Sequence, residues 1–313
     1  LISGDPAADT PRDILFSVNP DFFIALCCNG TMLPGLHATL FSLVSKLSQR
    51  ERVHLNLFIT EVNEAEVDSI RGTVSDAGGV GALTFHQADL SAFKGLKALQ
   101  GDWMAYMRLY LPTLMPEAGT ILYLDSDLII NTDACAFFSY PLENAPLAAV
   151  LGETVQWNLD RDFLQSVGLG EEDRCFNSGV LIFNARMWRE KNLIEQALEF
   201  GRAHAAALQS ADQTILIALY SRTFLGLPAQ FNLGIFAHQL PKEMKDGIYH
   251  FVGSPKPWDP LGRQVHGNWK LWNSVMTKTR FRWGNFILHH WRTYAARAWT
   301  LRRSYFRTLR RKL

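Results

Sequence analysis

Residues 22–28 (FFIALCC) form an uninterrupted apolar run, and a strand carries such a run only where both its faces are buried. Asn29-Gly30 follow, and then a helical pattern through Leu36, Leu40, Leu43, Val44 and Leu47. The order repeats: a strand-like run at 53–60, an amphipathic stretch at 63–76, and a third strand at 83–86. Strand–helix alternation of this kind predicts a parallel sheet. A helix over 103–114, stopped by Pro116, leads to a fourth buried strand at 120–124 (TILYL). Farther on, the pattern predicts strands at 147–153 and 176–184, one long helix over about 187–207, and another helix opening at Asp212. With 313 residues, 48% of them hydrophobic, the chain can bury the core of one large α/β domain or two modest ones. Residues 1–13 are Pro/Asp-rich and unpatterned, which reads as a flexible lead.

The fourth strand runs into Asp125-Ser126-Asp127, and ligands of open parallel sheets bind beyond the carboxyl ends of the strands. Two carboxylates one residue apart can both approach a divalent cation that also binds a diphosphate. Hard oxygen ligands of this sort suit Mn²⁺ or Mg²⁺. The same three residues could instead close a strand with a simple polar turn. A second feature, His250-Phe251-Val252-Gly253-Ser254-Pro255-Lys256-Pro257-Trp258, puts an imidazole, a glycine and an ammonium in one proline-stiffened loop. The imidazole can complete the metal's coordination and favours Mn²⁺ over Mg²⁺. Gly253 lets a backbone N–H approach a phosphate, and Lys256 can neutralise charge on a departing nucleotide. Taken alone, His250 could be a core histidine and Lys256 a solvated loop charge.

Strand-ending LYLDSD (residues 122–127), upstream YMRLYLP (106–112), FNSGVLIFN (176–184), Asp212-Gln213 before an apolar helix and the HxxGxxKPW loop form an ordered set. That set resembles glycosyltransferase family 8, particularly its bacterial branch of lipopolysaccharide galactosyl- and glucosyltransferases, across most of residues 22–259. The resemblance implies an α/β fold with a single GT-A type nucleotide-sugar-binding domain over 14–259, its mostly parallel central sheet flanked by helices. It further implies a retaining hexosyltransferase that uses UDP-glucose or UDP-galactose and a glycan acceptor. Asp125, Asp127 and His250 would hold Mn²⁺, with Gly253 and Lys256 on the diphosphate. Arg108, Asn177, Asp212 and Gln213 would surround the donor sugar, Gln213 beneath the anomeric carbon on the face opposite the leaving group. Asn29 would lie near the nucleoside, Ser126 would join the donor-binding set, and Glu153 is a candidate acceptor contact. Local roles exist too: Arg108 as a surface helix residue, Asn177 as a strand-edge amide, Asp212 as a helix N-cap.

One departure from the family pattern concerns the first strand. Where the family commonly carries acidic residues before the asparagine, this chain reads Ala25-Leu26-Cys27-Cys28-Asn29, so a carboxylate that would contact the base is missing, which bears on uracil recognition and not on the metal site. The substitution keeps a rival reading in play, a non-catalytic sugar-nucleotide or glycan-binding protein on the same fold. Other enzyme classes fit less well. DxD follows the fourth strand here and not the first, as an aspartate-nucleophile phosphatase requires. The first strand also lacks the glycine pattern that cradles a dinucleotide, and no GK[ST] occurs.

Cys27, Cys28, Cys135 and Cys175 show neither a CxxC pair nor the spacing of a disulfide framework, which points to a reducing, cytoplasmic setting. No apolar run reaches the roughly eighteen residues a spanning helix needs, and the N-terminus has no signal-peptide pattern. The formal charge of +1 hides an asymmetry: residues 260–313 hold thirteen Lys and Arg and no carboxylate. Ile287, Trp291, Tyr294, Ala298, Leu301, Tyr305 and Leu309 recur at steps of three and four, with Arg297, Arg303, Arg307, Arg310 and Arg311 elsewhere around the wheel. This reads as a cationic amphipathic helical tail at an anionic membrane surface, on the inner face of the cytoplasmic membrane. Docking of the tail on its own acidic body is the alternative, and no nucleic-acid contact is expected.

Overall fold

A computed structural model describes residues 21–99, 101–240 and 243–311, so the expected lead at 1–13 lies outside the described residues. Ten strands and eleven α-helices are described. β1 (Phe22–Asn29), β2 (Val53–Thr60), β3 (Ala82–Gln87) and β4 (Thr120–Leu124) are joined by α1 (Leu33–Val44), α2 (Glu64–Asp76) and α3 (Met107–Leu114). The expected strand–helix alternation is therefore present. α2 opens with a capping box, in which Asn63 accepts from the Glu66 N–H and Glu66 accepts from the Asn63 N–H.

β5 (Leu128–Asn131) and β6 (Leu147–Thr154) precede α4 (Arg161–Ser166) and the long β7 (Arg174–Asn184). α5 (Ala185–Glu190) and α6 (Leu193–Ala203) replace the single helix expected over 187–207. Asn192 takes a left-handed conformation (φ 50°) and breaks it, a backbone state that asparagine tolerates better than most residues. α7 (Asp212–Tyr220), β8 (Leu225–Leu227), β9 (Leu233–Gly234) and β10 (Gly247–His250) follow, then α8 (Gly262–Val265), α9 (Trp269–Met276), α10 (Trp283–Thr300) and α11 (Arg302–Arg310).

The main sheet has the order β3-β2-β1-β4-β7-β6-β8, and within it β7 runs against both β4 and β6. β1 shows why its run is apolar throughout. Phe23, Ala25 and Cys27 enter the core shared with α3 and α5–α7, whereas Ile24, Leu26 and Cys28 enter the core shared with α1 and α2. The chain adds β2 and β3 on one side of β1 and β4 on the other. The crevice between the carboxyl ends of β1 and β4 is therefore the topological switch point, where open α/β sheets bind ligands.

A second sheet, β5-β10-β9, is fastened to α1. Thr39 Oγ1 accepts from the Leu128 N–H and donates to the Leu128 carbonyl, and Ser42 Oγ accepts from the Ile130 N–H. These bonds serve the edge of β5 that faces away from β10 and hold the Asp125–Asp127 turn in place. α9 packs Trp272, Val275 and Met276 with Trp258, Phe251 and Ala38 in a third core.

The tail presents only part of the expected stripe. Leu301 and Tyr305 are buried and Tyr294 and Ala298 half-buried, but α10 turns in Phe286 and His290, each one residue before the stripe positions Ile287 and Trp291, and the helix breaks at Leu301 before α11. Polar contacts to the body account for the offset: His290 Nε2 lies 2.9 Å from Glu66 Oε1, and Arg297 is ion-paired with Asp259. Ile287, Trp291 and Leu309 are left exposed, together with Leu288, Trp299 and Phe306. No described helix is long and apolar enough to cross a membrane.

Candidate active site

Asp125 follows β4, Asp127 precedes β5, and His250 ends β10. The antiparallel register sets His250 opposite Leu128, hence beside Asp127. Ligand atoms of Asp125, Asp127 and His250 lie within 4.8 Å of one another. His250 Nε2 is 3.1 Å from Asp127 Oδ1 and 3.6 Å from Asp125 Oδ2. The other ring nitrogen, Nδ1, is 2.9 Å from Asn232 Oδ1, an acceptor, so it carries the proton and leaves Nε2 to face the carboxylates.

Asp127 Oδ1 is buried without a hydrogen-bond partner. A neutral imidazole would turn a lone pair on that oxygen, so the pair needs either a second proton on Nε2 or a cation between them. A divalent ion can replace that proton, and the two carboxylates with one imidazole form a donor set that fits Mn²⁺ and, less well, Mg²⁺. Gly179 leaves room for it: a Cβ there would sit 2.3 Å from His250 Cε1 and 2.8 Å from Asp125 Oδ2.

Lys256 Nζ lies 2.5 Å from Asp127 Oδ2 and also donates to the Phe251 carbonyl. Burial alone would raise the Asp127 pKa, but the Lys256 ammonium, joined by His250 when its ring carries the second proton, outweighs burial and holds the carboxyl well below the usual range. Gly253 adopts φ +72°, a left-handed state natural to glycine. Ser126 is buried in the turn, and its carbonyl would be 2.5 Å from any Cβ on Gly35, so α1 packs directly beneath the aspartates.

Arg108 is the hub of the neighbouring network and is not a surface residue. The residue is 6% exposed, and its guanidinium reaches Asp125 Oδ1 at 3.0 Å, Asp212 Oδ2 at 3.1 Å and Ser178 Oγ at 2.9 Å, and stacks 4.5 Å over the Tyr123 ring. Burial by itself would lower its pKa, yet Asp125 and Asp212 hold it above the ordinary value. Asp212 is not a cap, because its side chain is taken by Arg108 and Ser178. Burial pushes its carboxyl up to about 6 against the pull of Arg108.

Asn177 and Gln213 are joined as well. Gln213 Oε1 accepts from Asn177 Nδ2 at 3.0 Å and from the Ser178 N–H at 3.1 Å, and Asn177 Oδ1 accepts from Asn232 Nδ2 at 2.9 Å. A chain of side chains thus runs His250–Asn232–Asn177–Gln213. Asn29, at the end of β1, donates its amide to Asp102. Glu153 stands apart from this network on the exposed end of β6, with its carboxyl pKa raised by partial burial.

Sequence reading missed Asn232, Asp102 and Tyr123. Tyr123 was detectable: two residues before Asp125 on an extended segment, it points the same way, and its hydroxyl donates to Asp125 Oδ1 at 2.6 Å. Asn232 and Asp102 carry no local signature.

A family model described as Glycosyl transferase family 8 matches residues 23–262. The chain is 29% identical to Glycosyltransferase GlyA of Streptococcus pneumoniae over 171 residues, which cover 53% of this chain and 23% of that protein. Glycosyltransferase GlyE of the same organism is 27% identical over 193 residues, covering 56% of this chain and 43% of the relative. The chain thus spans less than half the length of these curated relatives. Among solved structures, the galactosyltransferase LgtC in complex with donor and acceptor sugar analogs superposes with a TM-score of 0.71 at 18% identity, covering 86% of this chain and all of that one. The GlyE crystal structure gives 0.61 at 20% identity, covering 88% and 64%. These likenesses establish a GT-A-like α/β fold, and the match over residues 23–262 places the chain in glycosyl transferase family 8.

Proposed function

We propose that this chain is a retaining hexosyltransferase that moves glucose or galactose from a UDP-sugar to a glycan hydroxyl, with Mn²⁺ as cofactor and Mg²⁺ as a weaker substitute. One observation carries the reading: the partnerless Asp127 Oδ1 faces His250 Nε2 while Nδ1 of the same ring is bonded to Asn232. A divalent ion held by Asp125, Asp127 and His250 would offset the negative charge that builds on the departing diphosphate. Lys256 would exchange Asp127 for that diphosphate, and the Gly253 backbone would approach it. Asn29 and Ser126 would flank the nucleoside, and Arg108, Asn177 and Asp212 would hold the sugar.

Gln213 supports same-face attack over double displacement. Both lone pairs of its carboxamide oxygen are engaged, so it offers a sugar N–H groups and no nucleophile. The acceptor hydroxyl then gives its proton to the leaving phosphate oxygen, and no dedicated base is required. Glu153 is the acceptor contact in this reading, and a lipopolysaccharide core the acceptor class. Residues 14–259 form the transferase unit, and 260–313 extend it toward the inner face of the cytoplasmic membrane. The exposed Leu288, Trp291, Trp299 and Phe306 among arginines support contact with anionic lipid.

The test is a thermal-shift titration with UDP in Mn²⁺, Mg²⁺ or chelator, beside Asp127→Asn, since a ligand of the native state raises the melting point. A Mn²⁺-dependent shift lost in the variant is the expected result, and a folded wild-type protein without any shift would refute it. Cys27-Cys28 favours a second reading, sugar-nucleotide binding without transfer. Metal-dependent hydrolysis of UDP-hexose separates the two.

A further inference from the structure

We propose that Asp102, a residue outside every recognisable motif of this chain, is the specificity-determining carboxylate that reads the nucleoside of the donor. The inference rests on the nucleotide-sugar reading above. With the diphosphate at the Asp125–Asp127 end of β4, a nucleoside crossing the switch-point crevice lies against the end of β1. β1 itself offers little there. Cys27 and Cys28 are buried, and burial drives both thiols to pKa values far above the ordinary one, so they stay neutral.

Asn29 can offer a nucleoside an N–H but no acceptor. Its Oδ1 accepts from both the N–H and the hydroxyl of Thr31, at 3.1 and 2.7 Å, which fills both lone pairs, and its amide donates to Asp102 Oδ2. Beside Asn29, Asp102 keeps acceptor capacity. A carboxylate has about four lone-pair sites, and the two bonds it accepts come from Asn29 Nδ2 and, at 2.9 Å, the Met104 N–H. Asp102 is half-buried, so part of it stays accessible to solvent.

Its loop is pinned. Leu99 and Asp102 exchange backbone hydrogen bonds of 2.8 and 3.1 Å, Trp103 Nε1 donates to the Leu96 carbonyl, and the Tyr106 hydroxyl to the Lys97 carbonyl. The same segment continues into α3 and Arg108, so one stretch of chain would carry both the nucleoside carboxylate and the sugar-site guanidinium. A fixed carboxylate suits a nucleoside donor group, the imide N–H of uracil or a ribose hydroxyl.

The experiment is isothermal titration of the full chain and of Asp102→Asn and Asp102→Ser with UDP, CDP, 2′-deoxy-UDP and inorganic pyrophosphate, all in Mn²⁺. Loss of a charged hydrogen bond should weaken UDP on the order of tenfold to a hundredfold, with pyrophosphate unchanged. A collapse of the UDP-over-CDP preference assigns the contact to the base, and a penalty that shrinks with 2′-deoxy-UDP assigns it to ribose. Equal losses for UDP and pyrophosphate, or none, in variants of a UDP-binding wild type would overturn this inference alone. A wild type that does not bind UDP overturns the nucleotide-sugar reading and this inference together.

Discussion

Lys256 rests its ammonium 2.5 Å from Asp127 Oδ2, on the carboxylate oxygen opposite the one that faces His250. One aspartate is thus shared between a lysine and the candidate metal position. A lysine so placed would compete with a bound ion and would be released on arrival of a diphosphate.

Lys256→Met should therefore tighten binding of Mn²⁺ alone by about tenfold while weakening UDP in saturating Mn²⁺. Without metal, removing one partner of this nearly buried pair should cost roughly 3 kcal/mol of stability, which added Mn²⁺ recovers. Calorimetric Mn²⁺ titration with and without UDP checks the opposite signs; parallel changes would refute the competition.

Asn232 fixes the His250 ring from behind, 2.9 Å from Nδ1. Outer partners of ligating histidines are typically worth about 10–100-fold in metal affinity, and Asn232→Ala is expected to lose that much Mn²⁺ affinity. It should also loosen Gln213 through Asn177, so the donor KM rises as well. Unchanged Mn²⁺ affinity would remove Asn232 from the site.

Gly179→Ala builds a methyl group into the space between His250 and Asp125. Overpacking of this kind costs about 1–3 kcal/mol, a loss the fold survives, but Mn²⁺ binding should be abolished. Circular dichroism beside a Mn²⁺ titration separates the two effects.

Asp212, with a carboxyl pKa pushed up to about 6, gives two pH dependences of opposite sign. The folded chain favours the protonated form, so this group's contribution to stability is fully present below its unfolded pKa of 3.8 and is lost as pH rises through about 6. Sugar binding by the ionised form runs the other way. The affinity for UDP-hexose relative to UDP should fall by about tenfold for each pH unit below that pKa. Asp212→Asn should flatten the profile, and a wild-type ratio constant across this range would count against the role.

Reading along the chain located most of the fold because strand and helix patterns reflect local sterics and burial. The run at 22–28 had to be a strand buried on both sides, and Asp125–Asp127 had to stand at a strand's carboxyl end. The break at Asn192 escaped because the apolar pattern continues through it, and only the left-handed backbone reveals the turn. The tail's orientation escaped for another reason. Aromatic periodicity marked a face that holds at Tyr294, Leu301 and Tyr305, but the contacts His290–Glu66 and Arg297–Asp259 turned the first part of α10 by one residue.

By itself the sequence determined the order of strands and helices, the carboxylates that end β4 and the loop that carries His250 and Lys256. Each of these depends on neighbours a few residues away. Tertiary structure alone decided that β10 pairs with β5 in the register that sets His250 beside Asp127, that Asn232 backs that ring, and that Asp102 meets Asn29. Those contacts join segments far apart in the chain, and their partners are chosen by sheet register and packing, which no local pattern encodes.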